Sequence, residues 1–335
     1  MIKSFNELKK AVLENSNFIL TTHVIPDGDA IGSVMAFDNY LKQNGKNVTI
    51  INHSPTPKVL QFLDDKNLIV VFPDEPERLA IQIENAEVII LCDANEYSRT
   101  RSMEDYIRKS SAVKICIDHH TGLIESEFDI AVCNIQYAAT CQFIYDYLKF
   151  DNENFINHQI ATYLYAGIMT DTGSFRFPRT TSEVMRICAD LIDKGADPVL
   201  LHENIYDRMS KPKLNLLQRF LKSFEFHFND EVVTSHVSER DFKETGAELN
   251  DVEGFTSYLM GIENVKMGIL LAEFPKGVKV SIRSKGNIPV NELAREFGGG
   301  GHLNAAGVVF DKLPTGQIIN TLLKSAEKFF NNKLT

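Results

Sequence analysis

Hydrophobic residues fall into short runs in the first two-thirds of the chain, and amphipathic stretches separate these runs. The runs at 88–92 and 113–117 are apolar at almost every position, which is typical of parallel strands buried on both faces. Strands are predicted near residues 17–22, 47–52, 87–92, 112–117 and 128–133. Helices are predicted near residues 4–15, 29–43, 76–84, 101–109, 139–150, 155–169, 181–194, 197–207 and 212–223. This alternation predicts an α/β fold with a doubly wound, mainly parallel sheet.

From about residue 223 the pattern changes to pairs of strands joined by tight turns. Asn229, Asp230 and Glu231 separate two apolar runs and indicate a hairpin. Further strands are predicted over 265–274, 278–284 and 305–310, and further helices over 289–297 and 314–331. A chain of 335 residues favours two domains. The predicted organisation is a first domain over 1–195, a helical linker over 196–222 and a smaller α+β domain over 223–335.

The composition is that of a globular protein that does not enter a membrane. Hydrophobic residues make up 44% and charged residues 24% of the chain, and no apolar run is long enough to cross a bilayer. The amino-terminal segment lacks the apolar core of a signal peptide, so we expect a cytoplasmic protein without a membrane partner. The five cysteines are widely spaced and include no Cys-x-x-Cys pair, which favours reduced thiols and disfavours a structural zinc site.

The net charge of −10 restricts the anionic partners of the chain. Phosphate contacts supply most of the affinity for long nucleic acids, so an acidic chain is disfavoured as a binder of long duplexes. A small anionic substrate is compatible with this charge if positive charge is concentrated locally, above all by bound metal ions.

The segment from His23 to Asp29 joins a predicted strand to a predicted helix and carries three side chains that bind metals. Asp27 and Asp29 flank Gly28, and His23 precedes Asp27 by four residues. In open α/β sheets, ligands bind where strands end and helices begin. Asp-Gly is also a common turn dipeptide, and an aspartate at a helix start is often only a cap. Taken alone, the segment fits a helix cap as well as a set of metal ligands.

Similar groups recur at three further places on what should be one edge of the sheet. They are Asp93 after the strand at 87–92, Asp118, His119 and His120 after the strand at 112–117, and Asp171 after the helix at 155–169. Because side chains alternate along a strand, we expect Cys92 to face the core and Asp93 the site. Each group alone has a simpler explanation, such as a turn or a hydrogen-bonded histidine, but their recurrence favours one shared site.

Four clustered carboxylates would repel one another in the absence of cations. Two divalent ions would cancel the four charges, and a water bridging the ions would become a nucleophile near neutral pH. Carboxylate and imidazole ligands without thiolates favour Mn²⁺, with Mg²⁺ and Co²⁺ as alternatives. The set of side chains therefore predicts a hydrolase with two metal ions.

A second informative stretch lies near the carboxyl end. Four consecutive glycines at 298–301 follow a predicted helix, and His302 and Asn304 come shortly after them. One glycine usually suffices to end a helix, so the run favours close approach of the backbone to a phosphate. Arg283 could join these residues from a neighbouring strand. A flexible loop without a role is the alternative.

The motifs His23-x-x-x-Asp27-x-Asp29, Asp93, Asp118-His119-His120 and Asp171 together resemble the four motifs of the DHH phosphoesterase superfamily, in the same order. The resemblance implies one metal held by His23, Asp27 and Asp93, and a second held by Asp29, Asp93, His119 and Asp171. It also implies that Asp93 bridges the metals and that Asp118 orients an imidazole. His120 would face the scissile phosphate as an electrostatic or proton-donating group.

The carboxy-terminal stretch resembles the DHH-associated domain that follows the catalytic domain in this superfamily, so the resemblance covers nearly the whole chain. It implies that the substrate is held by Arg283, the backbone of Gly300 and Gly301, His302 and Asn304. Many members carry a basic residue in the helix before the strand at 265–274, whereas residues 258–261 include none. How a second phosphate is held therefore stays open.

Within the superfamily, a two-domain chain of this length is most similar to the group of bifunctional oligoribonucleases and 3′-phosphoadenosine 5′-phosphate phosphatases. This resemblance implies a short single-stranded RNA or a nucleotide bisphosphate as the substrate, and a homodimer as the assembly. A linear or cyclic dinucleotide phosphodiesterase and an exopolyphosphatase-like or pyrophosphatase-like hydrolase are the alternatives. A nucleotide sensor that binds without turnover is a further alternative.

Overall fold

The computed structural model describes the backbone of residues 2–330 and the side chains of residues 4–330. The end of the predicted closing helix, at residue 331, and the last residues of the predicted second domain, 332–335, lie outside the described residues. The chain divides into two compact units, Met1–Arg208 and Met209–Thr335. The boundary between the units falls inside the segment 196–222.

The first unit contains a six-stranded parallel sheet. Its strands are β1 (Asn17–Thr21), β2 (Asn47–Asn52), β3 (Ile69–Val71), β4 (Val88–Cys92), β5 (Val113–Asp118) and β6 (Ile130–Cys133). They lie in the order β3-β2-β1-β4-β5-β6, and every neighbouring pair is parallel. The strand order reverses between β1 and β4, and in open α/β sheets such a reversal opens a crevice at the carboxyl ends of the strands.

Helices cover both faces of this sheet. They are α1 (Ile2–Glu14), α2 (Gly28–Gln43), α3 (Pro76–Glu84), α4 (Glu104–Lys109), α5 (Thr140–Asn152), α6 (His158–Asp171), α7 (Ser182–Asp193) and α8 (Pro198–Tyr206). Short 3₁₀ segments lie at Lys58–Asp64, Phe72–Asp74, Tyr97–Met103, Glu125–Glu127 and Glu153–Phe155. Alternate strand residues enter different cores: Phe18 and Leu20 pack with α2, α5 and α6, whereas Ile19 packs with α3 and α4. The predicted doubly wound α/β fold is confirmed.

The second unit contains a mixed six-stranded sheet. Its strands are β7 (Glu225–His227), β8 (Val232–Val237), β9 (Met267–Phe274), β10 (Gly277–Ser284), β11 (Gly300–His302) and β12 (Ala305–Phe310). They lie in the order β11-β12-β10-β9-β8-β7, with β8 and β9 parallel and the other pairs antiparallel. The helices are α9 (Lys211–Lys222), α10 (Glu239–Thr245), α11 (Phe255–Met260), α12 (Val290–Arg295) and α13 (Thr315–Ala326), with 3₁₀ segments at Leu249–Val252 and Glu327–Phe329.

Two strands and two α-helices of the described chain were not predicted from the sequence. β3 and β11 have only three residues each, and both exist because a neighbouring strand pairs with them. α10 and α11 have seven and six residues, which is less than two turns, so their hydrophobic period is too short to recognise. All four are local elements that depend on tertiary contacts rather than on a long sequence pattern.

All five cysteines are free thiols, as predicted. Cys92 is completely buried in the core on the α2 side of the sheet, which confirms the expectation that it faces inward. Among residues 2–330, no helix combines the length and the apolar character needed to cross a bilayer.

Candidate metal centre

The candidate site begins where β1 and β4 end side by side in the sheet. His23 follows β1 by two residues, and Asp93 follows β4 directly. Asp93 has a φ of 59°, in the left-handed region that residues with a side chain seldom adopt. Its N–H donates to the carbonyl of Ile117 in β5 at 2.9 Å. Backbone strain of this kind clusters at functional sites, because the surrounding structure has to hold it.

Asp27 is both a helix cap and a neighbour of His23. Its Oδ1 accepts hydrogen bonds from the N–H groups of Asp29 and Ala30 at the start of α2, each at 3.1 Å. Its Oδ2 lies 3.9 Å from Nε2 of His23. The other ring nitrogen of His23 contacts the carbonyl of Val24 at 2.9 Å, which leaves Nε2 toward the carboxylates. The two interpretations of this segment, cap and ligand, are compatible in one side chain.

Asp29 is completely buried and binds the start of α5. Its Oδ2 accepts from the N–H of Thr140 at 2.6 Å, and its Oδ1 accepts from the N–H of Cys141 at 2.9 Å. The residue before α5 is Ala139, which has no side chain to cap the helix. Asp29 therefore caps α5 from another segment of the chain. Its Oδ2 also lies 3.8 Å from Nε2 of His119.

Asp171 reaches the same cluster because α6 approaches α2 and α5 closely. A Cβ at Gly167 would lie 2.2 Å from Sγ of Cys141 and 2.8 Å from Oδ1 of Asp29, so only glycine fits there. Asp171 is the last residue of α6 and places its Oδ2 3.0 Å from Nε2 of His119. A glycine one helical turn earlier thus sets the distance at which this carboxylate meets the others.

Asp93 lies between two imidazoles. Its Oδ2 is 3.3 Å from Nε2 of His23, and its Oδ1 is 3.5 Å from Nε2 of His119. The hydroxyl of Thr140 donates to Oδ1 at 3.0 Å. The two oxygens of this carboxylate therefore face different imidazoles, Oδ2 toward His23 and Oδ1 toward His119. A carboxylate that bridges two metal ions requires such an arrangement.

His120 is fixed by Asp118. The Nδ1 atom of His120 lies 2.8 Å from Oδ1 of Asp118, and the N–H of His120 donates to Oδ2 at 3.0 Å. Asp118 is completely buried, whereas 34% of the His120 side chain is exposed. The bond at Nδ1 leaves Nε2 as the free ring nitrogen of a half-exposed imidazole.

Burial and mutual repulsion oppose the negative charges of this cluster. Burial, together with the carboxylates of Asp93 and Asp171, raises the pKa of Asp27 to about 6. Burial also raises the pKa of Asp29 well above its usual value, again with contributions from Asp93 and Asp171. In the absence of cations, four carboxylates cannot all keep their charge at this separation without a cost to folding.

The imidazoles counter part of this repulsion. Burial alone would raise the pKa of Asp93, but His119 and His23 outweigh it, so the pKa lies well below the usual range. Burial would lower the pKa of His119, but the adjacent carboxylates of Asp171 and Asp93 outweigh it and raise the pKa to about 11. The cluster therefore attracts positive charge strongly.

The donor atoms suit divalent metal ions. Nε2 of His119 is buried and faces Oδ2 of Asp171 at 3.0 Å, but it makes no hydrogen bond of good geometry among the described residues. Within each of three sets the ligand atoms lie within 4.8 Å of one another: His23, Asp27 and Asp93; Asp29, His119 and Asp171; and Asp93, His119 and His120. Carboxylate and imidazole ligands without thiolates fit hard or borderline ions, and a buried imidazole nitrogen that faces carboxylates without a well-formed hydrogen bond fits a coordinating atom.

In the second unit, Arg283, Ala305 and His302 form one row across β10, β12 and β11. Residues paired directly across antiparallel strands lie on the same face, so Arg283 and His302 flank the small side chain of Ala305. Arg283 is half-buried, and its Nη1 donates to the carbonyl of Ile282 at 3.1 Å. Burial lowers its pKa. His302 is exposed.

The glycine run packs against a strand. A Cβ at Gly299 would lie 2.3 Å from the carbonyl oxygen of Gly307, and a Cβ at Gly301, where φ is 143°, would lie 2.3 Å from that of Ala305. The close approach predicted for these glycines is therefore made to β12. Gly300 is different, because no atom lies within 4 Å of its Cβ position.

Asn304 has partners inside the second unit. Its Nδ2 donates to Oγ of Ser284 at 2.9 Å and to the carbonyl of Gly286 at 2.8 Å. These bonds fix the turn between β11 and β12. Asn304 thus supports the position of His302, the residue at the end of β11.

The structure brings all six predicted metal ligands together in the first unit and the predicted substrate-binding residues together in the second. Sequence reasoning missed three residues around His119 and Asp93. Thr140 holds both Asp29 and Asp93. The carbonyl of Tyr137 lies 3.3 Å from Nδ1 of His119 and accepts from Nη1 of Arg179 at 3.2 Å. Of these three residues, only Thr140 gave a signal in the sequence, because it is a threonine at the start of a predicted helix.

Comparison with known proteins gives the family. Residues 17–168 match the DHH family, N-terminal domain, and residues 229–332 match the DHHA1 domain. The bifunctional oligoribonuclease and PAP phosphatase NrnA of Thermus thermophilus is 32% identical over 324 residues, covering 96% of this chain and 92% of its own. The protein of the same name from Bacillus subtilis is 27% identical over 310 residues, covering 90% of this chain and 91% of its own.

A solved structure has a similar fold. The crystal structure of an exopolyphosphatase-related protein from Bacteroides fragilis matches with a TM-score of 0.94 at 27% identity. The match covers 98% of this chain and 97% of that one. The motifs, the geometry of the cluster and these matches agree, and the chain belongs to the DHH family of phosphoesterases, with a DHH domain followed by a DHHA1 domain.

Proposed function

We propose that this phosphoesterase acts with two divalent ions, degrades short oligoribonucleotides to mononucleotides and removes the 3′-phosphate of 3′-phosphoadenosine 5′-phosphate. The observation that carries the proposal is Asp93, with one oxygen toward His23 and the other toward His119. The relatives from Thermus thermophilus and Bacillus subtilis carry both activities in their names, which supports this choice of substrates.

Two ligand sets would hold the ions. One comprises His23, Asp27 and Asp93, and the other comprises Asp29, Asp93, His119 and Asp171. Bound ions supply an activated water and neutralise charge on the phosphoryl group. The mixture of carboxylates and imidazoles supports Mn²⁺, with Mg²⁺ and Co²⁺ as alternatives.

His120 is the catalytic group of the chain that faces the reacting phosphate in this proposal. Its ring is held at Nδ1 by Asp118, so Nε2 is available to stabilise developing charge or to donate a proton to the leaving oxygen. Asp118 acts through His120, because it is buried and cannot touch the substrate. Asp93 is catalytic as the shared ligand, and Thr140 fixes one of its oxygens.

The second unit supplies the groups that bind the rest of the substrate. Arg283 and His302 present a cation and an imidazole on one face of the sheet, on either side of Ala305. The backbone of Gly300 and Gly301 contributes N–H groups, and the open space at Gly300 leaves room for a ligand. Asn304 contributes by holding the turn beside His302.

The expected substrates are short and single-stranded. A net charge of −10 argues against a track for long duplex nucleic acid, since such binding depends on many phosphate contacts. Five free thiols agree with a reducing compartment, which supports a cytoplasmic location. A homodimer is proposed on the family resemblance alone.

The test is a product analysis with RNAs of two to ten nucleotides and, in parallel, with the nucleotide bisphosphate. We expect mononucleotides from the RNAs and release of inorganic phosphate from the bisphosphate, both dependent on added Mn²⁺. Intact substrates after incubation with the metal-loaded protein would contradict the proposal and favour a nucleotide sensor.

A polyphosphatase is the second candidate, because the Bacteroides fragilis structure is described as exopolyphosphatase-related. Competition separates the two functions. If the chain is an oligoribonuclease, polyphosphate should be a weak inhibitor of bisphosphate hydrolysis and should itself be cleaved slowly. Preferential cleavage of polyphosphate would reverse the assignment. Parallel assays with linear and cyclic dinucleotides test the dinucleotide phosphodiesterase alternative.

A further inference from the structure

Residues 172–179 form a tight turn that starts beside one metal-ligand candidate and returns to another. Gly173, Ser174 and Phe175 have φ values of 58°, 56° and 64°, so three consecutive residues adopt the left-handed conformation. Two of the three carry side chains, for which this conformation is costly. The turn begins one residue after Asp171, at the end of α6. A strained segment at this place indicates a functional constraint.

The turn fixes two arginines. Nε of Arg176 donates to the carbonyl of Gly173 at 2.8 Å. Nη1 of Arg179 donates to the carbonyl of Tyr137 at 3.2 Å and lies 3.4 Å from Nδ1 of His119. A guanidinium has five N–H donors in a planar fork, so these bonds leave most donors of both side chains available. Both arginines are exposed to solvent.

Neither arginine is neutralised by a carboxylate. Four other arginines of the described chain form ion pairs with glutamate or aspartate: Arg78, Arg108, Arg219 and Arg240. Within residues 4–330, Arg176 and Arg179 form no such pair, although the cluster that includes Asp171 lies beside them. The chain has a net charge of −10, yet these two arginine side chains are fixed in place without an anionic partner. They are therefore available to bind an anionic ligand.

The position of Arg179 indicates which anion it can reach. Its guanidinium approaches Nδ1 of His119, whereas the cluster faces Nε2 on the other side of the ring. The width of an imidazole therefore separates Arg179 from the ligand atoms. A phosphate at the metal centre would therefore lie on the far side of the His119 ring from Nη1 of Arg179.

An aromatic ring lies between the two arginines in the sequence. Phe177 is 52% exposed. Its ring packs so closely on Gly173 that a Cβ at Gly173 would lie 2.5 Å from a ring atom. Exposed aromatic rings beside cations are typical of surfaces that bind single-stranded nucleic acids, because bases stack on the rings and phosphates bind the cations. The turn thus has the composition expected of a nucleotide subsite.

We propose that Arg176 and Arg179 bind the second phosphate of the substrate, the one that is not hydrolysed, and so select substrates with two phosphates. This inference rests on the proposed function. It also answers how a second phosphate is held in a chain whose α11 includes no basic residue. The turn after Asp171 would then place one subsite of the first unit directly beside the metal centre.

The test compares two substrates that differ by one phosphate. Arg176→Gln and Arg179→Gln should lower kcat/KM for 3′-phosphoadenosine 5′-phosphate on the order of 10- to 100-fold, mainly through KM. For 3′-AMP, which lacks the 5′-phosphate, the change should stay below about threefold. Arg186→Gln is the matched control, since Arg186 lies in α7 and bonds only Oγ of Ser182 among the described residues. Bound metal, measured directly, should be unchanged in all three variants.

Equal losses on both substrates would overturn the inference, because the arginines would then act on the shared scissile phosphate or on the fold. Loss of bound metal in Arg179→Gln would also overturn it, since the side chain would then serve to position His119. If the wild-type protein fails to hydrolyse the bisphosphate, the proposed function is wrong. The role of the two arginines is then tested separately, by measuring the binding of 5′-AMP and adenosine. The metal-loaded variants should then bind 5′-AMP more weakly than wild type and adenosine equally well, and unchanged 5′-AMP binding would refute the subsite.

Discussion

Asp29 accepts a hydrogen bond of 2.6 Å from the backbone N–H of Thr140, the first residue of α5. Its other oxygen accepts from the N–H of Cys141, so one buried carboxylate closes the amino end of a 13-residue helix. The helix start carries partial positive charge, which favours an anion there. This contact offsets part of the burial and repulsion that Asp29 experiences within the acidic cluster. A proposed metal ligand is therefore also a structural element of the fold.

We predict that Asp29→Ala destabilises the metal-free protein more than Asp171→Ala does. Both variants remove one carboxylate from the cluster, and each loses a contact with Nε2 of His119, at 3.8 Å for Asp29 and 3.0 Å for Asp171. Only Asp29→Ala also removes the cap of α5, which should cost a further 1–2 kcal/mol, roughly, in the free energy of unfolding. Urea denaturation in the presence of a chelator measures the difference. Equal stability of the two variants would show that the cap contributes nothing.

The dual use of Asp27 explains how far sequence reasoning could go at this site. The spacing of His23, Asp27 and Asp29 allowed two interpretations, a helix cap or a ligand set, and the structure uses both oxygens of Asp27 for different partners. A sequence pattern identifies residue types and the segment that carries them, but it does not assign individual oxygens. The convergence of the ligands was predictable, because carboxyl ends of parallel strands meet at one edge.

The glycine run at 298–301 is a feature that the sequence alone explained incompletely. From the sequence alone, the four glycines were interpreted as a backbone that approaches a phosphate closely. In the structure, Gly299 and Gly301 pack closely against β12. Strand β11 has three residues and no hydrophobic alternation, so its pairing was invisible in the sequence. Thr140 and Arg179 were missed for a related reason. The threonine at the helix start was visible, but the contacts of Thr140 with Asp93 and of Arg179 with His119 join residues far apart in the chain, and the sequence does not show them.

Asp93 is the residue whose loss should abolish activity without unfolding the protein. We expect Asp93→Ala and Asp93→Asn to lose at least about 1000-fold in hydrolysis of short RNA and of the bisphosphate, even with excess Mn²⁺. Asparagine tolerates the left-handed backbone at this position, whereas alanine adds strain of about 1 kcal/mol. Circular dichroism and activity assays on both variants separate the two effects. Full activity of Asp93→Asn would remove the two-metal assignment.

Asp118 should affect turnover rather than binding. Asp118→Asn weakens the contact that holds Nδ1 of His120, so the ring loses its fixed orientation. We expect kcat to fall by about 10- to 100-fold, with KM and bound metal nearly unchanged. Steady-state kinetics and metal analysis on the same preparation check this split. A rise in KM at constant kcat would place His120 in substrate binding instead.

Arg283→Ala should weaken substrate binding without affecting the metal centre. Removal of a charged partner of a phosphate typically costs about 10- to 100-fold in affinity. Lys279→Ala is the matched control, because Lys279 is an exposed cation four residues earlier on the same strand. Titration of the nucleotide bisphosphate into both metal-loaded variants measures the effect. Loss of bound metal in Arg283→Ala, or equal weakening by Lys279→Ala, would contradict a specific role in substrate binding.

Divalent metal should stabilise the protein strongly, because bound cations offset the burial and the mutual repulsion that raise the pKa of Asp27 to about 6 and the pKa of Asp29 well above its usual value. At a free Mn²⁺ concentration 100 times the dissociation constant, linkage supplies about 2.7 kcal/mol. For a unit of this size we expect a rise in Tm of about 5–10 °C, reversed by a chelator. Parallel scans with Mg²⁺ and Co²⁺ rank the ions. Asp93→Asn should lose most of the shift, whereas Arg186→Gln should retain it, and an unchanged Tm of the wild-type protein in all three ions would refute the metal centre.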